Sequence, residues 1–116
     1  MRPSNFFILI LFISSVACKQ ESSTLAPTQM KLIMWDMITA DEWLKFAASR
    51  DSSIVYKKQQ TSLYNKIFTL NKTTKQDFYS SYQYYQLHPT EMKLLLDSLS
   101  AYGIRKRDTI TNHLGK

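Results

Sequence analysis

From Met30 to Tyr102 the apolar residues recur at spacings of three and four, and no segment sustains an alternation at two. That spacing repeats one face of an α-helix, where a half-buried strand would alternate, so the chain is constrained to helices packed on helices. A first helix spans Met30 to Ala48 on Met30, Ile33, Met34, Met37, Ile38, Leu44 and Ala48, with Pro27 and Thr28 as start signals. Trp35, Trp43 and Phe46 fall off that stripe, so this helix is apolar on more than one side and packs against two neighbours. Arg50-Asp51-Ser52-Ser53 breaks the pattern as a loop, and a second helix fits Ile54 to Asn71 on Tyr56, Leu63, Ile67 and Leu70, with Tyr64 and Phe68 beside them. Thr74-Lys75-Gln76-Asp77 has capping-box spacing and starts a third helix near Lys75, which ends at His88-Pro89 because a residue before proline is pushed out of the helical region. Pro89 and Thr90 open a fourth helix on Met92, Leu95, Leu96, Leu99 and Tyr102, and Gly103 is placed to stop it. The expectation is an all-α fold, a small bundle of three to four helices.

Ahead of these helices the chain opens with Met1 and Arg2, an apolar run from Phe6 to Ile13, and Ser14-Ser15-Val16-Ala17 before its one cysteine, Cys18. A positive start, a short apolar segment and small residues before a cysteine resemble a bacterial lipoprotein export signal. A membrane span needs about 20 apolar residues, more than the stretch from Phe6 to Val16 supplies. The resemblance implies cleavage between Ala17 and Cys18, a diacylglycerol thioether on the Cys18 sulfur and an acylated amine. Ser15 stands three before the cysteine, where such signals carry a bulky aliphatic residue. The alternative is an unlipidated signal peptide that leaves Cys18 as a free thiol. In this division residues 1–17 are a cleaved signal peptide, 18–29 a lipidated flexible tether, 30–103 the helical domain and 104–116 a basic tail.

Removal of residues 1–17 takes Arg2 from the 15 basic residues, which leaves a net charge of about +5 against the 9 acidic ones. Lys57-Lys58, Lys72 with Lys75, and Arg105-Lys106-Arg107 are separate clusters, and the ordinary meaning of such clusters is a solvated face. Nucleic acid is a poor partner for an exported protein without a recognition motif, whereas anionic headgroups or acidic glycans suit basic groups tethered within a Debye length of a bilayer. With no second cysteine for a disulfide, helix packing must carry stability. The anchor places the chain in the cell envelope, on the periplasmic or surface side of the outer membrane.

The most distinctive string is Asp77-Phe78-Tyr79-Ser80-Ser81-Tyr82-Gln83-Tyr84-Tyr85-Gln86-Leu87-His88-Pro89. At helical spacing Phe78, Tyr82 and Tyr85 share a face with Ser81 between them, and Tyr84 looks elsewhere. The face is either a packing surface, with Ser81 allowing a close helix crossing, or an aromatic platform for sugars or peptides. Asp77-Phe78, Ser81, Tyr84-Tyr85 and Pro89, followed by Met92, Leu95-Leu96 and Leu99, resemble a small-lipoprotein domain of unknown function of the Bacteroidota, family forty-two ninety-six. Met30, Ile33-Met34 and Asp36-Met37 fit its first helix and Cys18 its lipid attachment. The resemblance implies an all-helical lipoprotein and brings no activity, cofactor or catalytic residue with it.

Catalysis has little to stand on. A Ser-His-acid set could be drawn from Ser81, His88 and Asp77, but a serine-rich sequence permits many such drawings, and His88 beside Pro89 suits a capping role. No histidine or carboxylate spacing suits a metal, and Gly103 and Gly115 are the only glycines, too few for a phosphate loop. No cofactor is called for. The expectation is therefore a non-enzymatic, membrane-anchored interaction module that binds another envelope protein, with Trp43, Tyr79 and Tyr84 as candidate binding-face residues. The alternative is a ligand binder or holdase-like chaperone with an apolar groove.

Overall fold

The computed structural model describes residues 23–115. They form four α-helices, α1 (Pro27–Arg50), α2 (Tyr56–Leu70), α3 (Lys75–Leu87) and α4 (Pro89–Leu114), and no strand among the described residues. The fold is all-α, a small bundle. The signal peptide, Cys18 and the tether as far as Ser22 lie outside the described residues.

Local chemistry sets most of the ends. Pro27 occupies the first turn of α1, where its missing N–H costs nothing, and Pro89 does the same for α4. Thr74 accepts the Asp77 N–H at 3.1 Å and donates its hydroxyl proton to the Asp77 carboxylate at 2.7 Å, so the N-cap side chain that opens α3 is itself held in place, through its hydroxyl and not through the backbone N–H of a full capping box. After α2, Lys72 takes a left-handed φ of 52°, Lys72 N–H bonds to the Thr69 carbonyl and Thr73 N–H to the Phe68 carbonyl. That is a Schellman stop built on a lysine, where glycine is usual.

The core joins Met30 and Ile33 of α1, Ile67 and Phe68 of α2, Phe78 and Tyr85 of α3, and Leu95 of α4. α1 and α2 run antiparallel, since Asp41 meets Gln60 and Tyr64 at one end while Gln29 bonds the Asn71 carbonyl at the other. Along α1, Leu44 is buried on the expected stripe but Ile38 is largely exposed, and Trp35 turns to α4, edge-on to Tyr102 at 5.7 Å. Lys31 and Lys106 lie over the Tyr102 ring at 5.6 and 5.5 Å.

Three expectations change. The helical domain does not begin at residue 30: Leu25 donates its N–H to Ser81 Oγ at 2.9 Å and accepts from Tyr85 Oη at 2.9 Å, so the end of the presumed tether is clasped onto α3. Ser81, buried on α3, thus captures a backbone amide. Leu70 closes the predicted α2 stripe yet is 75% exposed, because it lies in the last turn, at the edge of the α1 contact.

The third change concerns Gly103, which does not stop α4; the helix continues to Leu114, so the basic segment 104–116 begins as three more exposed helical turns. Gly103 is buried because a Cβ there would stand 2.5 Å from Cζ3 of Trp35. It is a close-approach glycine, not a terminator.

Gly103→Ala should therefore forfeit the ~1 kcal/mol that a mid-helix Gly→Ala change ordinarily yields and instead destabilise by about 1 kcal/mol through overpacking. In a Trp35→Ala background the same substitution should stabilise. Urea denaturation of the four proteins of this cycle checks the sign reversal.

Candidate functional site

Residues 34, 37, 38 and 41 fall on one side of α1, whereas 35, 39 and 43 fall on the opposite side of a helix that turns about 100° per residue. Each side lines a groove. The first, of about 240 Å³, lies between α1, α2 and α3, with Met34, Met37 and Ile38 facing Tyr64, Phe78, Tyr79 and Tyr82. The second, of about 370 Å³, lies between α1 and α2 and is walled by Trp35, Trp43, Leu63, Ile67 and Leu70.

Asp41 is the one charged residue among those lining the first groove. It follows Met34 and Met37 at helical spacing on an otherwise apolar side, so the fold holds its carboxylate half-buried beside aromatic rings. Tyr64 Oη donates to Asp41 Oδ2 at 2.8 Å and Gln60 Nε2 to Asp41 Oδ1 at 2.9 Å, and Gln60 also reaches Tyr64 Oη at 3.3 Å. Burial, with the Asp41 hydrogen bond and charge, pushes the Tyr64 phenol up to about 12. The phenol therefore keeps its proton at neutral pH and keeps donating it. Around these groups the rings interlock: Phe78 lies at 6.3 Å from Tyr82, nearly parallel, and edge-on to Tyr79 at 5.2 Å.

The candidate binding residues do not gather. Trp43 lines the α1–α2 groove and is 59% exposed, whereas Tyr79 stands at the mouth of the first groove, 45% exposed. Tyr84 belongs to the corner between α3 and α4: its hydroxyl donates to Glu91 at 3.1 Å and its ring stacks on His88 at 4.0 Å. The Glu91 bond raises the Tyr84 phenol above its ordinary range. His88 Nδ1 lies 2.7 Å from the Tyr84 carbonyl oxygen, which can only accept, so Nδ1 carries a proton. Cys18 lies outside the described residues.

The Ser81, His88 and Asp77 set is not an assembled triad. Ser81 Oγ donates to the Asp77 carbonyl at 2.6 Å and accepts from Leu25, while His88 serves the Tyr84 carbonyl. Among the described residues no three histidine, cysteine or carboxylate side chains gather as a metal would require. No helix among them is long and apolar enough to cross a membrane. Asp41 with Tyr64 and Gln60 is the polar cluster that sequence reasoning missed. The signal was present, since an acid that interrupts an apolar face at i+4 from Met37 must meet a donor or remain wet.

Because the Tyr64 pKa is raised on folding, the stabilisation from its neutral form is complete below pH 10 and is lost as pH rises from 10 toward 12. The stability difference between the parent and Tyr64→Phe should therefore shrink across that window. Chemical denaturation at pH 8, 10 and 11.5 measures it; a constant difference would contradict a phenol raised by burial and the Asp41 bond.

No curated protein and no solved structure matches the chain. The family model described as Domain of unknown function (DUF4296) matches residues 22–105, which takes in the Leu25 clasp, α1 to α3, and α4 as far as two residues beyond Gly103. The chain belongs to the family of the Domain of unknown function (DUF4296).

Proposed function

We propose that this chain is a lipoprotein of the Bacteroidota type, anchored to the outer membrane through Cys18, and that its helical domain docks another protein of the cell envelope. The observation that supports docking is the amount of aromatic and aliphatic surface that four packed helices leave in water. Trp43 and Phe46 follow one another on α1, both more than half exposed, and Trp43 shares the α1–α2 groove with the exposed Leu70. A rigid, partly exposed tryptophan over a leucine-lined groove is the kind of anchor on which protein interfaces concentrate their energy. The partner that fits is a helix or extended segment with a row of apolar side chains, laid between α1 and α2.

The Leu25 clasp sets how far a domain anchored at Cys18 could reach. With Leu25 fixed to α3, the leash from Cys18 is seven residues long and spans at most about 25 Å. A domain on so short a leash stays at the bilayer surface and can search it for a partner while held at high local concentration.

The anchor is tested by metabolic labelling with a palmitate analogue: the parent should take up label, and Cys18→Ser should lose all of it. Docking is tested by crosslinking in cells followed by pulldown. Trp43→Ala should reduce recovery of the partner at least tenfold while stability stays within about 0.5 kcal/mol of the parent, since the side chain is mostly exposed. Recovery of abundant membrane proteins alone, unchanged by the substitution, would refute docking.

A further inference from the structure

We propose that the groove between α1, α2 and α3 receives the side chain of a lysine or arginine carried by the protein partner, with its cationic head on Asp41 and its aliphatic stem against Met37, Tyr79 and Tyr82. The inference rests on the docking reading and names the chemistry of a second contact.

Size, charge and solvation point the same way. A groove of about 240 Å³ is below the range of drug-sized ligands and suits one long side chain. Its walls are rings and thioethers, which accept an aliphatic stem by contact and a cation through the ring faces. Lysine and arginine are the side chains that combine an apolar stem with a cationic head.

Asp41 decides the sign of the charge. Its two hydrogen bonds come from neutral donors, Tyr64 and Gln60, which orient the carboxylate without neutralising it. The ion pairs of the described residues are Lys45 with Glu42 and Lys93 with Asp97, so neither involves Asp41. Each carboxylate oxygen retains acceptor capacity beyond the single bond it makes here. An occupant that covers Asp41 strips it of water, and only a cation or strong donor compensates that loss. A purely apolar side chain would leave the charge buried and unpaired, and an anion would be repelled. Lys57 and Lys75 belong to a separate groove that shares the Tyr64 and Tyr79 rings, so they do not fill this one.

The methionines supply the readout. Met34 and Met37 line the groove, Met30 is buried in the core, and Met92 lines a different groove on α3 and α4. The full chain, purified in detergent with 13C-methyl methionine, is titrated with Nα-acetyl-lysine methylamide and with Nα-acetyl-norleucine methylamide, which has a similar stem and no ammonium. The lysine probe should shift the Met34 and Met37 methyls, leave Met30 and Met92 in place, and bind at least tenfold more tightly than the norleucine probe. Asp41→Asn should abolish that preference, and Tyr79→Ala, at a largely exposed position, should weaken the lysine probe several-fold with the methyl spectrum otherwise intact. Equal binding of the two probes, or shifts at Met92 equal to those at Met34, would overturn the proposal. So would a preference that survives Asp41→Asn.

If Asp41→Asn loses the dispersion of a folded spectrum, the parent's probe preference and Tyr79→Ala decide. Partner loss on Trp43→Ala without any ammonium preference sinks this inference alone. An ammonium preference with no specific partner recovered sinks the docking reading, and with it the protein source of the cation.

Discussion

Everything in this fold depends on α1 carrying apolar side chains in more than one direction. A helix with one apolar stripe needs one neighbour, but here Met30 and Ile33 reach the common core, Trp35 reaches α4, and Met34, Met37 and Asp41 face α2 and α3. No single partner helix could cover those directions at once, since packed helices meet along one seam. The other three helices are therefore arranged around α1, and each is short of partners on its own outer side. Both grooves follow from that arrangement. They are places on either side of α1 where cylinders packed against one another do not close.

The contact between Trp35 and Gly103 shows how tightly the arrangement is specified. A tryptophan on α1 can come this close to α4 only where the α4 backbone is bare, and Gly103 supplies the one bare position in the middle of that helix. The cost is a glycine inside a helix, roughly 1 kcal/mol of backbone entropy. The return is register: if α4 slides along α1, a side chain meets the indole. Beyond Gly103 no residue of α4 is buried, so the family match ends close to where the helix leaves the bundle. Arg105, Lys106 and Arg107 begin that overhang as part of a helix and not as a frayed tail.

What was legible in the sequence was what local chemistry decides. Thr74 with Asp77 fixed the start of α3, Pro89 fixed the start of α4, and the spacing of Met30, Ile33, Leu95 and Leu99 placed the buried sides. What was not legible depends on tertiary contacts. Gly103 reads as a stop because a glycine after an apolar stripe usually is one, and only the position of Trp35 on another helix changes its meaning. Leu25 sits among Ser, Thr and Pro and reads as tether, because the Ser81 and Tyr85 groups that hold it are more than fifty residues away. Of the candidate binding residues, Trp43 and Tyr79 are aromatics that stand partly exposed in grooves. Tyr84 is partly consumed by Glu91 and His88, partners that sequence spacing alone does not assign to it.

Asp41 belongs both to the α1–α2 contact and to the lining of a groove. Leucine at that position would extend the apolar side of α1 but leave the half-buried Tyr64 hydroxyl without the acceptor it uses here. A carboxylate there is held by two neutral donors and keeps acceptor capacity beyond them. Its hydrogen bonds tie α1 to α2 and hold the carboxylate at a groove whose other lining residues carry no charge, so the same group serves packing and fixes the charge that an occupant must meet. The Trp43 groove and the Asp41 groove lie on opposite sides of α1, and one extended partner would have to pass around that helix to engage both. Two contacts of different chemistry, one apolar and one ionic, discriminate better than either alone, because a false partner must satisfy the hydrophobic anchor and also neutralise a fixed charge.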